Sequence, residues 1–226
     1  MIEIVPSILN CDFTNLKEPI MLVEEAGADM LHLDIMDGHF VPNISFGPRV
    51  VNSIRGITKL PLDVHLMIDN PDRFIPVFSR AGANIITVHL EACINLEEEI
   101  RAIKEEGLEV GVSLNPETPV EPLLEYLTEI DMALLMTVEP GFSGQKFISS
   151  VLPKIAKLRN YLLRNRLDVD IEVDGGIDLE TAQWVIDNGA NILVAGEYIF
   201  GSADPGKAVE DLRKLCELRE KKFTGK

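Results

Sequence analysis

The chain has 226 residues, with 37 acidic against 21 basic side chains and a formal net charge of −16. No basic run interrupts that balance, which argues against a nucleic-acid partner, and no apolar stretch approaches a membrane span. Aromatic residues make up only 6%, so the large core this length permits in one domain is aliphatic.

Residues 1–6 lack the basic and apolar regions of a signal peptide. Cys11, Cys93 and Cys216 are odd in number and widely spaced. They read as packing residues in a reducing, cytoplasmic setting and not as a disulfide frame or zinc site.

In chain order the pattern predicts a strand over 3–9, a helix over 15–26, a strand over 30–35 and a helix over 48–54. A strand over 62–66, a helix over 72–81, a strand over 85–89 and a helix over 96–106 follow. Next come a strand over 109–114, a helix over 120–127, a strand over 132–138 and a helix over 148–166. The last two units are a strand over 170–173 with a helix over 179–188, and a strand over 192–195 with a helix over 208–221.

A local signature recurs at three of the junctions: Ala26-Gly27-Ala28-Asp29, Ala81-Gly82-Ala83-Asn84 and Asn188-Gly189-Ala190-Asn191. Glu106-Gly107-Leu108 is a looser fourth copy. In each, a glycine suited to a left-handed helix cap is followed by a β-rich run. Eight strictly alternating β and α units, with strands apolar enough to be buried on both faces, predict a parallel α/β fold. The size matches a (β/α)₈ TIM barrel formed as a single domain over 1–226. A doubly wound open sheet is the runner-up, but Val5 to Asn10 contains no glycine fingerprint.

Three strand-like runs end in residues that bind metals or move protons: Leu31-His32-Leu33-Asp34, Asp63-Val64-His65-Leu66 and Ile171-Glu172-Val173-Asp174. His32 and Asp34 are two apart, so on a strand they face the same way. A parallel barrel would gather these strand ends at one mouth. Two imidazoles and two carboxylates there would hold a divalent ion and still offer acids and bases to a substrate. A mixed imidazole and carboxylate set suits Zn, Fe, Mn or Co better than Mg.

The runs Pro6-Ser7-Ile8-Leu9, His32 to Gly38, Phe40-Val41-Pro42-Asn43, Asp63 to Met67, Met136 to Phe142, Gly144 to Phe147 and Val173 to Ile177 resemble the ribulose-phosphate 3-epimerase family. The resemblance implies a TIM barrel, one divalent metal ion and interconversion of D-ribulose 5-phosphate with D-xylulose 5-phosphate, a step of the pentose phosphate pathway. It implies His32, Asp34, His65 and Asp174 as metal ligands, and Asp34 and Asp174 also as the acid/base pair. Removal of the C3 hydrogen of a 2-ketose gives an enediolate, which a metal stabilises as a Lewis acid. Inversion then needs a base on one face and an acid on the other. The resemblance also places Met36, Met67 and Met136 beside the intermediate, and Ser7 and His65 against the substrate. His89 and Glu91 read as hydrogen-bonding support and not as ligands.

The phosphate is expected at backbone N–H groups of Gly175, Gly176 and Gly196, with Gly141, Phe142, Ser143 and Gly144 as a lid. Two positions depart from the family: Glu197 stands where a Ser or Thr is usual, and Ser143 where Gly is common. A carboxylate about 4 Å from a phosphate would repel it by ~4 kcal/mol at an effective dielectric near 20. Either Glu197 turns away, the phosphate shifts, or the substrate is another ketose: a ketohexose 6-phosphate or an unphosphorylated sugar. A metal-dependent lyase and a non-catalytic sugar-binding barrel are the other classes considered. The expected partners are a small sugar and further copies of the chain in a homo-oligomer, with no nucleic acid and no membrane.

Overall fold

Each strand expected from the sequence forms, and all are parallel in the computed structural model, which describes residues 2–224. They are β1 Glu3–Pro6, β2 Leu31–Met36, β3 Leu62–Met67, β4 Ile85–His89, β5 Glu109–Leu114, β6 Met132–Met136, β7 Asp170–Asp174 and β8 Ile192–Ala195. The order β1-β8-β7-β6-β5-β4-β3-β2 leaves β1 and β2 as neighbours across the seam. A parallel Ser7–His32 bridge and the Asp29 N–H donating to the Ile4 carbonyl at 3.0 Å bring that seam together. The result is a (β/α)₈ TIM barrel.

The helices are α1 Lys17–Glu25, α2 Pro48–Arg55, α3 Ile75–Ala81, α4 Leu96–Glu105, α5 Leu152–Asn165, α6 Thr181–Asp187, α7 Glu197–Phe200 and α8 Pro205–Thr224. One expected helix does not form. Over 120–127 there is only a 3₁₀ turn, Glu121–Leu123, within a series of i→i+3 bonds. Pro122 disfavours the α conformation at Glu121 before it, and i→i+3 bonds replace the i→i+4 ladder. The single-turn α7 is an element the pattern did not predict. The strand expected over 3–9 stops at Pro6 and turns into a 3₁₀ segment, Ile8–Asn10.

The junction signature has two physical causes. Gly27, Gly82, Gly107 and Gly189 all have positive φ, as a left-handed cap requires. The polar residue that closes the motif ties neighbouring strands. Asp29, Asn84 and Asn191 accept from the Ile4, Leu62 and Ile171 N–H groups at 2.7–2.9 Å, and Asp131 does the same for Val110 at 2.8 Å. These four precede β2, β4, β6 and β8, so one device recurs every second strand around the barrel base.

Outward strand residues such as Leu31, Leu33, Val64, Ile86, Leu135 and Val173 join the main core under the helices. The inward face has its own apolar floor: Val5, Met30, Ile85, Met132, Ile192 and Val194. Above that floor the strands are not continuously apolar. His32, Asp63, His65, Thr87, His89 and Glu172 are fully buried there. The period-2 alternation is therefore polar within and apolar outside, with both faces dry.

Candidate active site

Register places the expected ligands level with one another. In parallel pairing Asp34 sits beside His65, His32 beside Asp63, and Met136 beside Asp174. One ligand atom from each of His32, Asp34, His65 and Asp174 lies within 4.8 Å of all the others. His32 Nε2 is 3.2 Å from Asp34 Oδ1, and His65 Nδ1 is 3.3 Å from the same oxygen. Asp174 is the least enclosed of the four. Two imidazole nitrogens and two carboxylates converging at this range fit a divalent ion.

The donors are oriented from behind. His32 Nδ1 lies 2.5 Å from Asp63 Oδ2, and Thr87 Oγ1 donates to the other Asp63 oxygen at 3.1 Å. That frees His32 Nε2 for the cluster. Thr87 fits because β5 faces it with Gly111, where a Cβ would stand 2.2 Å from Thr87 Oγ1. Ser7 Oγ donates to Asp34 Oδ2 at 2.6 Å and accepts from the Leu9 N–H at 3.4 Å, so its proton serves a ligand.

Burial pushes the Asp174 carboxyl up, and the charge of Asp34 adds to this, to about 7. Burial acts the same way on Asp34, but His32 and His65 reverse it and hold that carboxyl far below the usual range. Burial would lower His32, yet Asp34 and Asp63 raise it well above its ordinary value. His65 is pushed down to about 4 by burial and by the neighbouring rings of His89 and His32. Glu172, its Oε1 3.7 Å from His32 Nδ1, is raised by burial and by Asp63 to about 8 despite the opposing pull of His32.

A cavity of about 630 Å³ opens above the cluster. Ser7, Asp34, Met36, Met67, Met136 and Asp174 line its base. Gly141, Phe142, Ser143, Gly144, Gly175, Gly176, Gly196 and Glu197 line the walls, so every expected substrate residue except His65 borders one chamber. His32 and His65 lie below it, with no exposed surface. Gly175 and Gly176 have φ of +120° and +64°, and Cβ atoms there would lie 2.4 Å from Val138 and 2.8 Å from the Phe147 nitrogen. Glu197 begins α7, and its carboxylate accepts from Asn10 Nδ2 at 2.6 Å. Among the described residues Lys146 is the only Lys or Arg on the wall.

Sequence reasoning missed the roles of Asp63, Glu172 and Asn10. For the first two the signal was present, since each acid stands two residues before an expected ligand and so shares its strand face. Asn10 carries no such signal, because its partner is 187 residues away.

Fold and site together define a barrel enzyme with a candidate metal centre flanked by two carboxylic acids. The model of the ribulose-phosphate 3 epimerase family matches residues 3–200. A ribulose-phosphate 3-epimerase from Bacillus subtilis is 53% identical over 214 residues, covering 94% of this chain and 99% of that protein. One from Synechocystis is 46% identical, covering 94% and 93%. The chain belongs to the ribulose-phosphate 3-epimerase family and is a carbohydrate isomerase of that kind. Among solved structures, 3-hexulose-6-phosphate synthase from Salmonella typhimurium superposes with a TM-score of 0.73 at 18% identity, covering 96% and 99%, a likeness of fold. No helix among the described residues is long and apolar enough to cross a membrane.

Proposed function

We propose that the chain interconverts D-ribulose 5-phosphate and D-xylulose 5-phosphate by two-aspartate acid/base chemistry at C3. The observation that carries the reading is geometric: the Asp34 and Asp174 carboxyls, from two different strands, meet beside two imidazoles at the base of one cavity. Two carboxyls facing one cavity are equipped to give and take one proton each. Asp34 comes from β2 and Asp174 from β7, so they approach a bound sugar from different strands. One removes the C3 proton, the other returns a proton to the opposite face, and the reverse turnover exchanges their roles.

His32, Asp34, His65 and Asp174 would hold one divalent ion, Zn, Fe, Mn or Co, which supplies Lewis acidity for charge developing on the sugar oxygens. Met36, Met67 and Met136 offer polarisable, proton-free surface against a planar intermediate. Backbone N–H groups at Gly175, Gly176 and Gly196 receive the phosphate, and the 141–144 segment covers it. The relatives' names support the sugar phosphate. The three unpaired cysteines support a cytoplasmic setting.

The test is turnover of both pentulose phosphates with exchange of the C3 hydrogen in deuterated water. No exchange at C3 would defeat the reading. A second reading, 3-epimerisation of another ketose, draws on Glu197, whose carboxylate lines the expected phosphate end. Asn10 orients that carboxylate but leaves its charge in place, so the terminal phosphate itself has to be tested. Comparing a ketose with and without its terminal phosphate separates the two, and a preference for the bare sugar would sink the first.

A further inference from the structure

His65 turns its two ring nitrogens to different neighbours. Nδ1 lies in the ligand cluster, 3.3 Å from Asp34 Oδ1 and 3.3 Å from His32 Nε2. Nε2 lies 2.8 Å from Nε2 of His89. The His89 ring is fully buried, stacked on His65 with centroids 4.9 Å apart and flanked by Phe40 at 4.7 Å. Its Nδ1 lies 3.3 Å from Glu91 Oε2.

A neutral imidazole has one donor and one acceptor nitrogen, so the facing rings allow one hydrogen bond in either of two directions. With the proton on His65 Nε2, His89 accepts it, His89 carries its own proton on Nδ1, and that N–H ends on Glu91. His65 Nδ1 is then a free lone pair inside the cluster. In the opposite direction His65 carries its proton on Nδ1, where it donates to Asp34 and cannot ligate a cation. That arrangement also sets a bare His89 Nδ1 against a carboxylate, two acceptors facing each other.

We propose that Glu91 is a positioning residue that, acting through His89, fixes His65 as the Nε2–H tautomer and so presents Nδ1 to a divalent cation. The inference rests on the metal centre of the epimerase reading. Glu91 is secured for the task. Its Oε1 accepts from the Asn115 N–H at 2.8 Å and from Thr118 Oγ1. Lys154 Nζ in turn donates to the Asn115, Pro116 and Thr118 carbonyls at 2.7–3.0 Å, fastening the loop that carries these donors. Burial would raise the Glu91 carboxyl, but His89, Thr118 and the Asn115 N–H hold it at about 2. The anion is therefore present across the working pH range.

The tautomers are read by ¹⁵N NMR of the ring nitrogens in the full chain loaded with Zn²⁺. His65 should be protonated at Nε2 and His89 at Nδ1; either ring in the other form overturns the proposal. In the chelator-stripped chain, Glu91→Ala should weaken Co²⁺ binding by about 10–100-fold, the range typical of groups that orient metal-bound histidines. Glu91→Gln, which can keep an oxygen toward His89 but not also accept from the Asn115 N–H, should lose less affinity than Glu91→Ala. Unchanged Co²⁺ affinity in a folded Glu91→Ala protein contradicts the proposal, and the wild-type spectrum decides the matter if that variant does not fold. Failure of the epimerase reading is separately visible, because tautomers and Co²⁺ affinity would be as stated while no ketose epimerises.

Discussion

Burial acts on Asp34 and Asp174 alike, yet the two carboxyls end far apart in proton affinity. The difference is local: Asp34 faces two imidazoles and the Ser7 hydroxyl, whereas Asp174 faces the charge of Asp34. Asp174→Asn keeps the shape and removes the titrating group. Turnover should fall by about 10²–10⁴-fold from acid/base loss alone, with the fold retained. Near-normal C3 exchange in that variant would remove Asp174 from the chemistry. The same shifts predict a pH trend. In the metal-free protein Asp174 and Glu172 are raised from 3.8 and 4.5 to about 7 and 8, and His32 is raised too. His65, lowered to about 4, opposes them, but the three raised groups outnumber it, so the folded state binds more protons than the unfolded chain and its stability declines as pH rises from about 4 to 8. Cation binding must displace protons from His32 and Asp174 and gains affinity over the same range. Calorimetry should therefore find the metal-induced rise in Tm growing from pH 5.5 to 8; a constant difference would refute the assignment.

At the level of elements, each strand works as a two-sided comb. Outward teeth are Leu, Ile and Val under the helices, and inward teeth change from the apolar floor to titratable groups toward the mouth. The alternation in Leu31-His32-Leu33-Asp34 and Ile171-Glu172-Val173-Asp174 is visible in the chain itself. Its consequence is that Asp63 and Glu172 must face the same interior as the ligands. Gly111 on β5 is explained only by the strand next to it, since it leaves room for Thr87. Gly111→Ala should cost about 1–3 kcal/mol by overpacking, measured by urea unfolding, and should weaken cation binding as Thr87 is displaced from Asp63. Unchanged stability would show that β5 yields freely. The 120–127 segment teaches the reverse lesson. Its apolar spacing suits a helix, but Pro122 disfavours the α conformation at Glu121, and i→i+3 bonds take the ladder's place.

For the whole molecule, closure brings Ser7 of the first strand region to Asp34 and sets Asn10 on Glu197 of α7. The barrel is both scaffold and ligand cage, so an ion bound across β2, β3 and β7 should stabilise it globally. Removal by chelator should lower Tm and abolish epimerisation. Re-addition of Zn²⁺, Mn²⁺, Fe²⁺ or Co²⁺ should restore both, with a gain of about 2.7 kcal/mol at a free ion concentration 100 times Kd. Full activity without any ion would contradict the metal centre. The strand count, the alternation and the junction glycines are local matters, set by residue type and short spacings, and these were readable in the chain alone, whereas the four candidate ligands came from the family resemblance. Tertiary structure decided which groups surround each acid, which imidazole nitrogen faces the cluster and what holds Glu197. Those properties depend on burial and on partners dozens to nearly two hundred residues away, and hydrogen bonds and Coulomb interactions act through distance in space, with no trace in the spacing of the sequence.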